Sequence, residues 1–240
     1  MKNRIYICTI KMNKKFIFLL FLFMLILLLV WIYKINFLQT VFHSYEKRIV
    51  IDPGHGGIDS GTGEKFGIYE KQINLDVALR LRKLVEKDFK VTMTRDKDIS
   101  LENKSDLNDS RYKKDLHARK TIINQYGDLF VSIHVNADPY NSKTRGVKIF
   151  YYPTSEESKK LAHSIKKEVD KIVYKEDLKK AEVIKEDYYV LRETTCPGVL
   201  VEIGFITNVH ERKLMQNSEY KNKIVKSISE GIKNYAKKSR

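Results

Sequence analysis

The pattern of apolar and polar positions divides the chain sharply. From Phe16 to Tyr33, 18 consecutive residues carry no charge and no strongly polar side chain. As a helix this run is about 27 Å long at ~1.5 Å per residue, close to the ~30 Å hydrocarbon core of a bilayer. Lys14, Lys15 and Lys34 flank it and can snorkel at its ends. After residue 47 the pattern changes to alternating strand and helix signals. RIVID (Arg48–Asp52) is a β-branched run stopped by Pro53-Gly54. Ile73, Val77, Leu81, Leu84 and Val85 recur at the 3/4 spacing of one helix face over Glu70–Val85. Strands are predicted at Phe89–Thr94, Asp128–His134, Gly146–Tyr152, Val190–Leu191 and Gly198–Ile203. Further helices are predicted at Tyr112–Gln125, from Ser155 to about Val173, at Asn208–Gln216 and at Glu219–Lys237. Lys97–Ser110, rich in Asp, Asn and Ser, reads as a loop.

This alternation predicts an α/β fold: a single domain over 47–240 with a mostly parallel, about six-stranded sheet covered by helices. About 190 residues suffice for one sizeable core. The rest of the chain reads as a basic tail (1–15), a signal anchor (16–33) and a tether (34–46). Lys2, Arg4, Lys11, Lys14 and Lys15 stand on the N-terminal side with no acid, whereas no charge follows Lys34 until Glu46. That asymmetry orients the N-terminus to the cytoplasm and the domain outside. A cleaved signal peptide is the competing reading. Its apolar region is usually ~7–15 residues, and Ile35–Ser44 offers no Ala-x-Ala-like site.

Charge and cysteine content refine the picture. Lys+Arg number 45 against 30 Asp+Glu, a formal +15. Met1–Lys47 holds 7 of the bases and 1 of the acids, so much of the surplus there is a topology signal. Nucleic-acid binding is not expected, since the domain is exported and lacks an aromatic-basic motif. Two cysteines exclude a disulfide scaffold. If the anchor spans, Cys8 and Cys196 fall on opposite sides of the membrane and cannot pair. The Lys-rich helices around Glu156–Lys175 and Tyr220–Lys238 offer a surface for an unidentified protein partner, or simply a solvated face.

Three polar residues interrupt or follow the most apolar strands: His55 in IDPGHGG, His134 in FVSIHVN and Glu202 in GVLVEIGF. Parallel strands deliver their C-terminal residues to one sheet edge, where ligands of open α/β sheets gather. His55 and His134 are therefore expected to converge, and Glu70, opening a helix after the Gly-rich loop 54–67, can return to the same edge. Two imidazoles and a carboxylate with an open fourth position suit a catalytic zinc. Glu202, costly in so apolar a strand, suits acid/base work through a raised pKa. Each residue also has a plain structural role open to it: a turn for His55, a helix N-terminus for Glu70, a packed core imidazole for His134, a salt bridge for Glu202. A glycan-cleaving pair, Glu202 with Asp52 or Asp59, is a further possibility.

IVIDPGHGGIDSG, GIYEKQINLDVALRL, LHARKTIINQYGDLFVSIHVNAD and VLVEIGFITN occur in this order. Together they resemble the zinc-dependent N-acetylmuramoyl-L-alanine amidases of the amidase-3 family, over about Arg48 to Tyr235. An anchor followed directly by the domain is most similar to the spore-cortex, CwlD type. The resemblance implies zinc ligation by His55, Glu70 and His134, with Glu202 as catalytic acid/base. The reaction implied is hydrolysis of the amide between the lactyl group of N-acetylmuramic acid and L-alanine of peptidoglycan, in muramic-δ-lactam formation and germination. Asn136 and Arg192 are expected to hold substrate. A general vegetative autolysin and a non-catalytic wall-binding module on the same fold are the alternatives.

Overall fold

The computed structural model describes residues 13–43, 47–172 and 179–238. The chain divides into two units, Met1–Glu46 and Lys47–Arg240. In the first, helix α1 spans Lys14–His43. Asn13 Oδ1 accepts the Lys15 N–H at 3.1 Å, capping an otherwise orphan donor. The stretch Lys14–Ile35 is long and apolar enough to cross a membrane, and none of it is buried. The tether expected from residue 34 is helical as far as His43. INFLQTVFH contains no Gly or Pro, so nothing breaks the ladder where hydrophobicity declines. Residues 44–46, and the basic tail up to residue 12, lie outside the described residues, as does Cys8.

The second unit contains strands β1 (Arg48–Pro53), β2 (Lys90–Met93), β3 (Leu129–Asn136), β4 (Lys148–Tyr151), β5 (Glu182–Lys185) and β6 (Gly198–Phe205). Their order in the sheet is β2-β1-β3-β6-β4-β5. All neighbours run parallel except β4 and β6. The helices are α2 (Glu70–Val85), α3 (Arg111–Tyr126), α4 (Glu156–Val169), α5 (Tyr189–Arg192), α6 (Val209–Gln216) and α7 (Ser218–Lys238).

Strand alternation sorts the core into two faces. Ile49 and Ile51, Leu129, Val131 and Ile133, and Val199, Val201 and Ile203 pack against the apolar stripes of α2, α4 and α7. Their alternates Val50, Phe130 and Leu200 meet a smaller cluster with Ile123 of α3 and Val190 and Leu191 of α5. Asp52, Ser132, His134 and Glu202 continue that second register. Cys196 packs beside the smaller cluster, and burial pushes its thiol up to about 11, which makes it inert as a nucleophile.

Three local expectations change. Val190–Leu191 is a helical turn, not a strand: the N–H groups of Arg192 and Glu193 bond back to the carbonyls of Tyr188 and Tyr189. Both side chains enter the same cluster, which the alternating pleat of a strand forbids. Helix α4 stops at Val169, where Asp170 turns to accept the Ala181 N–H at 2.8 Å. Edge strand β5 (EVIK) is an addition, too short and mixed in polarity to announce itself.

Helices α4 and α7 meet at Gly231. A Cβ there would lie 2.5 Å from Ile165 Cα, a backbone atom that cannot rotate away. Helix propensity alone favours alanine by about 1 kcal/mol. Overpacking against the neighbouring helix outweighs it, so Gly231→Ala is expected to destabilise the domain by about 1–3 kcal/mol. Urea unfolding of the full chain measures this; a higher midpoint for the variant would show that the interface has slack.

Candidate metal centre and cleft

The site begins where β1 leaves the sheet. Gly54 N–H makes the last rung to Ile133 O at 3.0 Å, and the chain then turns through His55-Gly56-Gly57. A Cβ on Gly54 would lie 2.1 Å from His134 Cε1, so only glycine lets the imidazole lie against the turn. His55 has φ 60, the single left-handed non-glycine residue among the described residues. That conformation costs an L-residue about 1–2 kcal/mol and persists only where its surroundings hold it.

Helix α2 opens with Glu70, which is 3% exposed. Its Oε1 lies 3.2 Å from His55 Nε2 and 3.1 Å from His134 Nδ1. The same oxygen accepts from Val135 N–H at 3.0 Å and Asn74 Nδ2 at 3.2 Å, while Oε2 accepts from Thr62 N–H at 2.9 Å. The two imidazole rings stand edge to face, 5.1 Å between centroids. One ligand atom from each of His55, Glu70 and His134 lies within 4.8 Å of the others. On the far side of His55, Nδ1 is 2.7 Å from Asp59 Oδ2, which fixes the ring and leaves Nε2 for the cluster.

The electrostatics favour a cation at this point. Burial disfavours the Glu70 anion, yet the two imidazoles hold its carboxyl far below the usual carboxylate range. Burial likewise opposes charge on His55, but Asp59 and Glu70 prevail and raise it to about 10. The carboxylates of Asp59 and Glu70 thus draw positive charge to this point. Two imidazoles and a carboxylate are a donor set that fits a metal ion.

Glu202 pairs with His134 across β3 and β6 and shares its face. It is 9% exposed, and its Oε2 is buried without a hydrogen-bond partner. Burial, reinforced by the nearby Glu70 anion, pushes its carboxyl up to about 8. His55, His134 and Glu202 line a cleft of about 410 Å³ whose other walls include Tyr112, Tyr188 and Tyr189. Asn136 and Arg192 are not among its lining residues. Asn136 Oδ1 accepts the Ala137 N–H at 2.8 Å, and Arg192 is exposed, paired with Asp187 and Glu193.

The carboxylates considered for glycan cleavage are otherwise engaged. Asp59 holds His55. Asp52 is buried; against the cost of burial, Arg119, Thr94 and Ser132 hold its carboxyl down at about 2. Arg119 is the principal residue of this layer that sequence reasoning missed. It bonds Asp52 Oδ1 at 2.7 Å, Asp115 Oδ1 at 2.5 Å, Pro53 O at 2.7 Å and His55 O at 2.6 Å. The available signal was its spacing: Asp115, Arg119 and Ile123 recur at four-residue intervals on the inward face of α3.

A six-stranded, mostly parallel sheet with a His/Glu/His cluster able to hold a metal ion at the C-terminal strand edge, and an unpartnered carboxyl beside it, fits a metal-dependent hydrolase of the α/β class. The N-acetylmuramoyl-L-alanine amidase family model matches residues 49–234, and the chain belongs to this family. It is 38% identical over 193 residues to the germination-specific N-acetylmuramoyl-L-alanine amidase of Bacillus subtilis, covering 79% of each chain. The CwlD amidase from Clostridioides difficile, solved in complex with the GerS lipoprotein, is 37% identical with a TM-score of 0.72, over 80% of this chain and 99% of that one. The catalytic domain of CwlV from Bacillus (Paenibacillus) polymyxa var. colistinus is 29% identical, TM-score 0.65, over 80% and 98%.

The raised Glu202 carboxyl has a consequence for stability. Between the usual carboxylate value of 4.5 and about 8 the folded chain retains a proton that the unfolded chain has lost. Stability of the metal-free protein therefore falls as pH rises through this window. Glu202→Gln removes the titration. The variant is expected to be the more stable at about pH 9, with a gap that grows from about pH 5 and levels above about pH 8. Thermal midpoints of the metal-free chain across pH measure this; a gap independent of pH would contradict a raised carboxyl.

Proposed function

We propose that the domain hydrolyses the amide between the lactyl group of N-acetylmuramic acid and L-alanine of the peptidoglycan stem, with zinc held by His55, Glu70 and His134. The observation that carries this reading is the unpartnered Glu202 carboxyl beside the three-ligand cluster in an open cleft. Zinc, when bound, supplies a lowered water pKa, toward ~7, and polarisation of a carbonyl oxygen. The chain's own residues do the rest. As a carboxylate, Glu202 takes a proton from the attacking water while the C–O bond forms at the lactyl carbonyl carbon. As an acid, it returns that proton to the alanine nitrogen as the C–N bond breaks, leaving a lactyl carboxyl and a free amine. A pKa near 8 lets one group do both near neutrality. Asp59 keeps His55 in the tautomer that offers Nε2. The tyrosines and Val190 and Leu200 give the cleft partly apolar walls for the substrate to pack against beside the reacting amide. Asn136 and Arg192, outside those walls, are left with the outer parts of a long polymer substrate.

In this reading α1 anchors the enzyme with its domain outside the cytoplasm, facing the wall. In a sporulating cell that place is the space between forespore and mother-cell membranes, and the product feeds muramic-δ-lactam formation. Likeness to a germination-specific amidase supports the cortex role. The relative solved with a lipoprotein supports a protein partner at the membrane surface.

The test is mass spectrometry of peptidoglycan incubated with the detergent-solubilised full chain and zinc. Wild type is expected to release stems with free L-alanine amino termini. Glu202→Ala should keep zinc and lose activity about 10²- to 10⁴-fold, while His134→Ala loses both. Digestion by Glu202→Ala at the wild-type rate would refute its role, and new reducing sugar ends would mean glycan cleavage instead. Acidification should release the zinc, because histidine ligands must be neutral; zinc retained at about pH 4 would count against them.

A further inference from the structure

Arg95 follows β2 and is 2% exposed, yet it makes no ion pair among the described residues. Burial, reinforced by the Arg119 guanidinium, lowers its pKa to about 10, against the opposing pull of Asp52, Asp98 and Asp115. Its hydrogen bonds all go to main-chain carbonyls. Nε donates to Pro53 O at 3.0 Å, Nη1 to Lys97 O at 3.0 Å, and Nη2 to both Gly54 O at 2.8 Å and Lys71 O at 3.0 Å. Gly54 immediately precedes His55, and Lys71 immediately follows Glu70. A single guanidinium nitrogen thus joins the two segments that carry these cluster residues. Gly56 also packs on this side chain: a Cβ there would lie 2.8 Å from Arg95 Nε.

We infer that Arg95 is a positioning residue for the metal centre, fixing the spacing of His55 and Glu70 through their neighbouring carbonyls. This rests on the metal site proposed above. The physical case is one of cost and geometry. Burying an unpaired guanidinium is expensive, and an apolar side chain would fill the space without that penalty. The planar fork, however, reaches several fixed acceptors at once, and a lysine ammonium on a flexible stem cannot reproduce it. The carbonyls of Pro53 and Gly54 lie where β1 leaves the sheet, and a strained His55 sits next in the chain. Lys71 Nζ adds a second strap between the same segments, donating to Gly57 O at 2.7 Å.

The experiment compares the full-length chain in detergent as wild type, Arg95→Lys and Arg95→Gln. Zinc affinity is read by chelator competition, ligand geometry by the visible spectrum of the cobalt(II)-substituted protein, and fold by thermal midpoints with and without zinc. Expected for Arg95→Lys are a folded metal-free chain, zinc binding about 10- to 100-fold weaker, a smaller zinc-induced rise in midpoint and an altered cobalt spectrum. Unchanged affinity and spectrum in both variants overturn the inference, including the case in which midpoints with and without zinc fall equally. Failure of both variants to fold also overturns it, since Arg95 would then serve the fold as a whole. A wild-type chain that takes up no zinc removes the metal site itself, and the inference with it; wild-type binding matched by the variants removes the inference alone.

Discussion

Glu70 is a buried carboxylate that receives donors from five places: the imidazoles of His55 and His134, the Val135 and Thr62 N–H groups, and Asn74 of its own helix. Those donors come from the β1 turn, from β3 and from the loop ahead of α2. One side chain therefore fixes the spacing of three separate segments. An anion this deep is tolerated only when paired and hydrogen-bonded on both oxygens. The local sequence obeys the same demand. A Cβ on Gly61 would approach Glu70 Oε2 to 2.5 Å and His55 Cδ2 to 2.9 Å, so the loop must be bare where it passes the carboxylate.

Glu202 is the opposite case. It stands on a strand whose every residue is buried, in register with His134, and nothing satisfies its Oε2. The sheet tolerates this because the thinner of its two faces, closed by α3 and α5, stops short of the strand ends and leaves a cleft. Coverage of the two faces thus decides where a costly carboxyl can reside. The thick layer of α2, α4 and α7 supplies the apolar burial that offsets the strain and the orphaned group on the other side.

What the sequence made legible follows from signal strength. RIVID, DLFVSIH and GVLVEI are long, β-branched and almost uninterrupted. Their strands, their parallel arrangement and the convergence of His55, Glu70 and His134 could therefore be read in advance. The alternation along those strands also puts Asp52, His134 and Glu202 on one face. Val190–Leu191 could not be resolved, because two adjacent apolar residues carry no period. EVIK is an edge strand in which only two residues are apolar. The extension of α1 lacked a stop signal that could be read either way. Arg95 stayed hidden for a different reason. Its partners are main-chain carbonyls, those of Pro53 and Gly54 42 and 41 positions away, and a carbonyl has no letter in the sequence.

That last blindness is tied to the chemistry of the turn. Residues 54–57 are nearly all glycine because His134 approaches the main chain too closely for a Cβ at Gly54, and because Gly56 and Gly57 adopt left-handed angles. Glycine permits such geometry but resists nothing, since it gains backbone freedom from the very absence that admits the neighbour. A turn without side chains cannot pack itself into rigidity. Its stiffness must come from hydrogen-bond partners on other elements: Arg95 after β2, Arg119 on α3 and Asn74 on α2 donate to its carbonyls, and Asp98 accepts the Gly57 N–H at 2.8 Å. The two guanidiniums then bring positive charge close to a cluster that attracts a cation. The repulsion is contained in two ways. Arg119 is offset by Asp52 and Asp115, and Arg95 is distributed over four carbonyl dipoles. Charge-assisted bonds to main chain are strong and short-ranged. They stiffen the turn carrying His55 while leaving its imidazole free to face Glu70 and His134.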